Sequence, residues 1–157
     1  MNYISGRYKN EILQLKQIPD DYGKQNIPSQ KEKVRDAGFR RAIVSIYDYR
    51  CALCGIRMQT PEGHTVVEAA HIVPWSESKD DLPTNGLCLC LLCHWSFGEG
   101  LMSVGKKYEV LVSDCVRIDS NIPGHILTLM DRSIFKPEIE HFWPGQDNFS
   151  WHRKERY

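Results

Sequence analysis

Two Cys-x-x-Cys pairs, Cys51–Cys54 and Cys90–Cys93, stand with 35 residues between them in a chain of 157. Each such turn sets two sulfurs on one tight loop, and two turns brought together offer four thiolates to a tetrahedral ion. Zn²⁺ held by four sulfurs has no open position for chemistry, so the role implied is structural. A domain this small buries little apolar area, and a metal staple then supplies much of its folding free energy. One pair alone reads equally as a redox dithiol. Two pairs, in a chain whose opening MNYISGRYKNEILQLK has no apolar signal core, favour a metal knuckle over a redox centre or a disulfide framework. Cys88 and Cys115 lie outside the pairs. Cys88 alternates with Cys90 along an apolar run and can compete as a ligand, but both are expected as buried small hydrophobes.

The rest of the composition sets bounds. The length suits one domain with an appendage, and 41% apolar with 25% charged residues argues against disorder. No run approaches the roughly 20 apolar residues of a membrane span; with no visible signal segment, a cytoplasmic location is expected. Twenty basic and twenty acidic side chains cancel, so attraction to a polyanion must come from local asymmetry. Residues 1–41 hold nine cations against five acids, while residues 62–81 hold five acids against Lys79. That basic N-terminal part can supply sequence-independent phosphate attraction, with Arg40 and Arg41 as candidate contacts.

The expected organisation is an N-terminal arm or helix over 1–34, a core over 35–113, and an extension over 114–157 packed on that core. Tyr3, Ile4, Tyr8, Ile12 and Leu13 give Met1–Lys16 a weak helical stripe. Phe39, Ile43, Ile46 and Tyr47 predict a helix over Asp36–Tyr49. Thr65–Val73 reads as a strand stopped by Pro74, Leu87–Cys90 as a second strand, and Leu92–Phe97 as a short helix ended by glycines. Leu101–Val104 and Tyr108–Ser113 read as a β-hairpin, and Ile126, Leu127, Leu129 and Met130 as further core. The closing Trp151-His152-Arg153-Lys154-Glu155-Arg156 reads as a tail, whose His152, Arg153, Lys154 and Arg156 either contact phosphate or form a solvated charged end.

Three polar residues stand beside the cysteine pairs: His71 at a strand end, Asn85 in Pro83-Thr84-Asn85-Gly86, and His94 directly after Cys93. Singly each has a plain explanation. A strand-end histidine is often structural, Asn-Gly is a turn dipeptide, and a histidine beside a metal-binding cysteine can be a fourth ligand. Their order, however, joined to YDYRCALCG, AAHIVPW, NGLCLCLLCHWSF and GLMSV, resembles the HNH endonuclease family, the zinc-containing ββα-metal nucleases. The likeness runs from Phe39 to about Ser113. More narrowly, it resembles the HNH module of predicted restriction-type endonucleases, and the closing WHRKERY is similar to the tail of that group.

The resemblance implies an α+β fold: a small ββα-metal core stapled by a four-cysteine zinc site, with an N-terminal helix and a C-terminal β-hairpin and tail. It implies a metal-dependent endonuclease of double-stranded DNA, leaving 5′-phosphate and 3′-hydroxyl ends, with a restriction or defence role. His71 is then the general base, its second nitrogen donating to a backbone carbonyl. Asn85 holds the loop opposite the strand or offers its oxygen to a catalytic cation. His94 is a ligand of that cation, Mg²⁺ by default, with Mn²⁺, Ni²⁺ or Zn²⁺ as alternatives. Two positions depart from the family pattern. Ala70 stands where relatives place a metal-binding Asp or His, and Gly98 where they place a ligand one helical turn after His94. Glu68 and Glu99 are the nearby substitutes, and the metal is expected to bind weakly until DNA completes its shell. Too few residues precede Phe39 for a separate sequence-reading domain, so a compact nuclease with little sequence preference, or one directed by a separate specificity protein, is expected. A homodimer, which would allow both strands to be cut, is the other expected partner. A non-catalytic zinc-knuckle DNA-binding module and a thiol redox protein are the rival readings.

Overall fold

The computed structural model describes residues 29–117 and 124–157. The chain divides into two compact units, residues 1–34 and 35–157. Of the first, only residues 29–34 are described, so the helix expected over Met1–Lys16 lies outside the described residues.

The first helix, α1 (Gln30–Ile46), starts earlier and stops earlier than the apolar spacing suggested. Its end has a local cause. Asp48 and Tyr49 adopt positive φ angles of 50° and 56°, and the Asp48 and Tyr49 amides bond back to Ser45 and Val44 at 3.0 and 2.9 Å. That is a Schellman-type stop with an aspartate in the left-handed position glycine usually takes. Phe39, Ile43, Val44 and Tyr47 are buried in the core.

Strands β1 (Val67–His71) and β2 (Gly86–Cys90) pair antiparallel, with Val67 opposite Cys90 and His71 opposite Gly86. Between them lie a short helix α2 (Trp75–Ser78) and a 3-10 turn over Pro83–Asn85. Helix α3 (Leu91–Gly98) follows β2 directly, which completes a ββα unit within an α+β fold. β2 is buried at all five positions, as expected of a strand covered on both faces. Gly86 is needed there for close approach: a Cβ would collide with Ile43 and press on Phe39.

A second antiparallel pair, β3 (Met102–Val104) with β4 (Val110–Val112), forms where the hairpin was expected. A one-turn helix α4 (Gly124–Leu127) then adds Ile126, and the turn after it Leu129, to the same core. Cys115 departs from expectation. It is exposed, because the 3-10 turn over Asp114–Arg117 points Val116 inward instead.

The C-terminal segment is a docked helix rather than a solvated tail. Helix α5 (Gln146–Glu155) packs against β3. His152 is its anchor, only 2% exposed, with Nδ1 2.9 Å from Ser103 Oγ and Nε2 2.9 Å from the Phe97 carbonyl. Since a carbonyl only accepts, Nε2 carries the hydrogen and Nδ1 accepts from the serine hydroxyl. The imidazole also stacks on the Phe97 ring at 3.7 Å. Burial pulls its pKa down from 6.5 to about 4, with nearby Arg156 and Arg153 acting in the same direction. Arg153 donates to the Val104 carbonyl at 2.6 Å, a second tie between α5 and β3.

Between pH 6.5 and 4 the unfolded chain binds a proton at His152 that the native chain refuses. Stability tied to this residue is therefore complete above pH 6.5 and lost as pH falls through about 4, roughly 3 kcal/mol in all. Urea unfolding at pH 7 and pH 5 should show this loss in the wild type. A His152→Gln variant, weaker at pH 7, should fall less between the two pH values; an equal fall would remove His152 as the source.

Candidate functional site

The four thiols come together at one end of the ββα unit. Cys51 and Cys54 sit on a knuckle closed by the Gly55 amide bonding to the Cys51 carbonyl at 2.9 Å. Gly55 has φ +79°, and a Cβ there would run into the Phe135 ring. Cys90 ends β2 and Cys93 lies in the first turn of α3. All four sulfurs lie within 4.8 Å of one another, and Cys54 Sγ is 3.8 Å from Cys90 Sγ. A tetrahedral ion with metal–sulfur bonds of about 2.3 Å has sulfur–sulfur edges of about 3.8 Å, so the four fit a metal ion. Their proximity also splits the thiols. Hydrogen bonding from Cys54 brings Cys51 down to about 7, and bonds from Cys51, Cys54 and Cys93 hold Cys90 lower still. Cys54 and Cys93, bonded to Cys51, are pushed up. Cys88 is outside this group: burial raises its thiol to about 12, and it stays a neutral core side chain.

His71 occupies the opposite end of β1. Strand alternation puts it with Val67 and Ala69 on the face covered by α1, and its ring stacks on Phe39 at 3.9 Å and 6°. Its Nε2 lies 2.8 Å from Asp81 Oδ1. A backbone carbonyl was the partner expected for the second nitrogen; the partner found is a carboxylate from the connection between β1 and β2. No spacing signal points to Asp81, which the sequence hides in the polar run Lys79-Asp80-Asp81. His71 also borders a cavity of 140 Å³, shared with Pro74, Phe97, Gly98, Trp151 and Arg156.

Asn85 is fully buried. Its Oδ1 accepts from the Val73 amide at 2.9 Å, and its Nδ2 donates to the carbonyls of Val73 and Asp80, each at 3.0 Å. Of the two roles read for it, these bonds describe the loop holder. The carboxamide oxygen is occupied by a backbone amide. The preceding Thr84 carbonyl is held by the Gly145 amide at 2.8 Å and Asn148 Nδ2 at 3.0 Å, so the C-terminal segment braces the same turn.

His94 lies on α3, its Nδ1 3.6 Å from Glu68 Oε2. Arg40 reaches the other oxygen of Glu68 at 3.3 Å and the Val67 carbonyl at 3.4 Å. Glu68 precedes His71 by three strand residues, roughly 10 Å, and points from the opposite face. The base candidate and the His94–Glu68 pair are thus brought to one hairpin but not to one point. Among the described residues, no group of three or more His, Cys, Asp or Glu side chains clusters there; the four cysteines form the one such group. Glu99, at the end of α3, is exposed.

Residues 51–105 match the family model described as HNH endonuclease. Over that stretch the chain is similar to HNH endonucleases. A solved structure, the modification dependent TagI restriction endonuclease, resembles it with a TM-score of 0.54 at 21% identity. The likeness covers 76% of this chain and 37% of that one, so this chain spans well under half of that protein, and the likeness is one of fold. No curated protein matches the sequence.

Two positions depart from the family pattern. Ala70 is buried, and Gly98, one helical turn after His94, borders the cavity that His71 also borders. Neither offers a donor to a cation. Of the basic residues read as phosphate contacts, Arg40 and Arg153 already hold protein groups. Arg41 is exposed and borders a 340 Å³ cavity with Arg40, Tyr49 and Thr65. Lys154 is 81% exposed, 2.9 Å from Glu155.

Asn85→Ala strips the partners from the Val73 amide and carbonyl and the Asp80 carbonyl in a buried loop. A stability loss of about 3 kcal/mol is expected, read as a lower urea midpoint. Asn85→Asp, which keeps an acceptor but loses both donors, should not restore it.

Proposed function

We propose that this chain is a metal-dependent DNA endonuclease, hydrolysing phosphodiester bonds with His71 as the general base. The observation that carries this reading is the state of the His71 ring. It is fixed in plane by Phe39 and in rotation by Asp81, at the edge of a cavity in a domain of the HNH family. Asp81 occupies Nε2, so Nδ1 is the nitrogen left to take a proton from water. The water oxygen attacks phosphorus, the bond from phosphorus to the 3′ oxygen breaks, and that oxygen takes a proton from solvent. The products are a 5′-phosphate and a 3′-hydroxyl. Double-stranded DNA is the substrate proposed, with a restriction role, and a second copy or a separate specificity protein as partner. Arg41 and Lys154 are the exposed cations offered to the backbone.

Zn²⁺ is the ion proposed for the four thiols, on the sulfur spacing and ligand type. For the catalytic cation, Mg²⁺ or Mn²⁺, the donors at hand are His94 and Glu68. Such an ion supplies positive charge to the phosphate and the departing oxygen. Two protein donors hold a hard cation poorly, and waters and DNA phosphate complete the shell.

A second reading has its own observation. Ala70 and Gly98 leave the two positions where relatives place metal ligands without donors, which suits a metal-knuckle module that binds DNA and does not cut it.

Plasmid nicking with Mg²⁺ or Mn²⁺ decides between them. The wild type should nick, and His71→Ala should lower the rate by about 10²-fold or more, with DNA affinity and bound zinc unchanged. DNA binding without nicking under either ion supports the second reading. Elemental analysis should give one zinc per chain and no tight second metal in the absence of DNA. Removing the zinc with a strong chelator, or Cys93→Ser, should unfold the ββα unit, seen as loss of cooperative thermal unfolding.

A further inference from the structure

We infer that Asp81 is the positioning residue of the site: its carboxylate fixes the tautomer and rotation of His71, so that Nδ1 is the nitrogen that meets water. This rests on the reading of His71 as a base. Three observations converge on it. The Oδ1–Nε2 separation is 2.8 Å, the length of a strong, charge-assisted bond. The other oxygen, Oδ2, lies 3.5 Å from Arg35 Nε, so the arginine pairing is the looser of the two. The Arg35 guanidinium in turn lies 3.7 Å over the Trp75 ring. On either side of Asp81 the loop is pinned: Asp80 Oδ1 accepts from the Leu82 amide at 2.8 Å, and the Asp80 carbonyl accepts from Asn85. The carboxylate therefore cannot drift with its loop.

An ionised carboxylate only accepts, so the hydrogen of a neutral His71 is placed on Nε2 and the lone pair on Nδ1. Stacking on Phe39 restricts the ring to one plane but does not distinguish its two nitrogens. Asp81 makes that distinction. Its proposed role is exerted through the imidazole. Asp81 also explains a function for buried Asn85 at a distance: the amide holds the loop that carries the carboxylate.

The test combines kinetics with spectroscopy on the full chain. In Asp81→Ala the kcat for plasmid nicking should fall about 10- to 100-fold, the range for lost support of an active-site histidine, with KM for DNA unchanged. Asp81→Glu should recover part of it. Adding Asp81→Ala to His71→Ala should cost nothing further, because one residue acts through the other. Nitrogen-15 spectra of the His71 ring above about pH 8, where a free imidazole is neutral, should show the Nε2–H form in the wild type and a mixture in Asp81→Ala. Undiminished kcat, an additive loss in the double variant, or an unchanged tautomer would each overturn the proposal. If the wild type cuts no DNA, the nuclease reading fails by itself, and the nitrogen spectra still decide whether Asp81 sets the tautomer.

Discussion

A two-stranded sheet with five residues in each strand does not persist in water through its ladder alone. In this molecule the β1–β2 pair is gripped at both ends. At one end four sulfurs gather from the knuckle before β1 and from the β2–α3 junction, where a shared ion would tie together Cys54 and Cys90, 36 positions apart in sequence. A link across a loop of that size removes a good deal of freedom from the unfolded chain. At the other end Asn85 closes the long β1–β2 connection by bonding three backbone groups at once. The sulfurs fix where β2 turns into α3; the amide fixes where the connection returns to β2.

Everything proposed for His71 depends on this double grip. Because His71 pairs with Gly86, the space where a Cβ would stand is filled by Ile43 and Phe39 of α1. Phe39 can then lie flat on the imidazole. The imidazole is therefore placed by a missing side chain on the neighbouring strand, by an aromatic from a helix, and by a carboxylate from a loop. All three are consequences of the fold, and none is adjacent to His71 in sequence.

That explains what could be read from the chain and what stayed hidden. The cysteine pairs, the β-rich runs and the short helix after Cys90 are local signals, and the structure contains each element. The candidates His71, Asn85 and His94 stood out through order and spacing. Asp81 was not, because a loop aspartate carries no period and its partner is set by how the loop folds back. His152 and Arg153 looked like a charged end because a helix closing on consecutive charges has no visible apolar stripe. The burial of His152 comes with one bond from each ring nitrogen, to Ser103 and to Phe97, which only the tertiary structure supplies. Cys115 went the other way: Val116 took the inward position of a short turn.

The direction of α3 adds a last constraint on chemistry. The helix leaves the sulfur cluster at Cys93 and ends at Gly98 beside the cavity that His71 borders. His94 stands one turn before that end, about 6 Å back along the axis. A side chain at position 98 would be the natural donor facing the base, and Ala70 is likewise silent on β1. The cation candidates are consequently displaced toward the sulfur end, where Glu68 and His94 meet under Arg40. On the proposed reading, the imidazole that takes the proton and the pair that holds the ion come from separate points along the hairpin. The group that stands beside the imidazole is the Asp81 carboxylate, at 2.8 Å, and on that reading the orientation of the ring is set there.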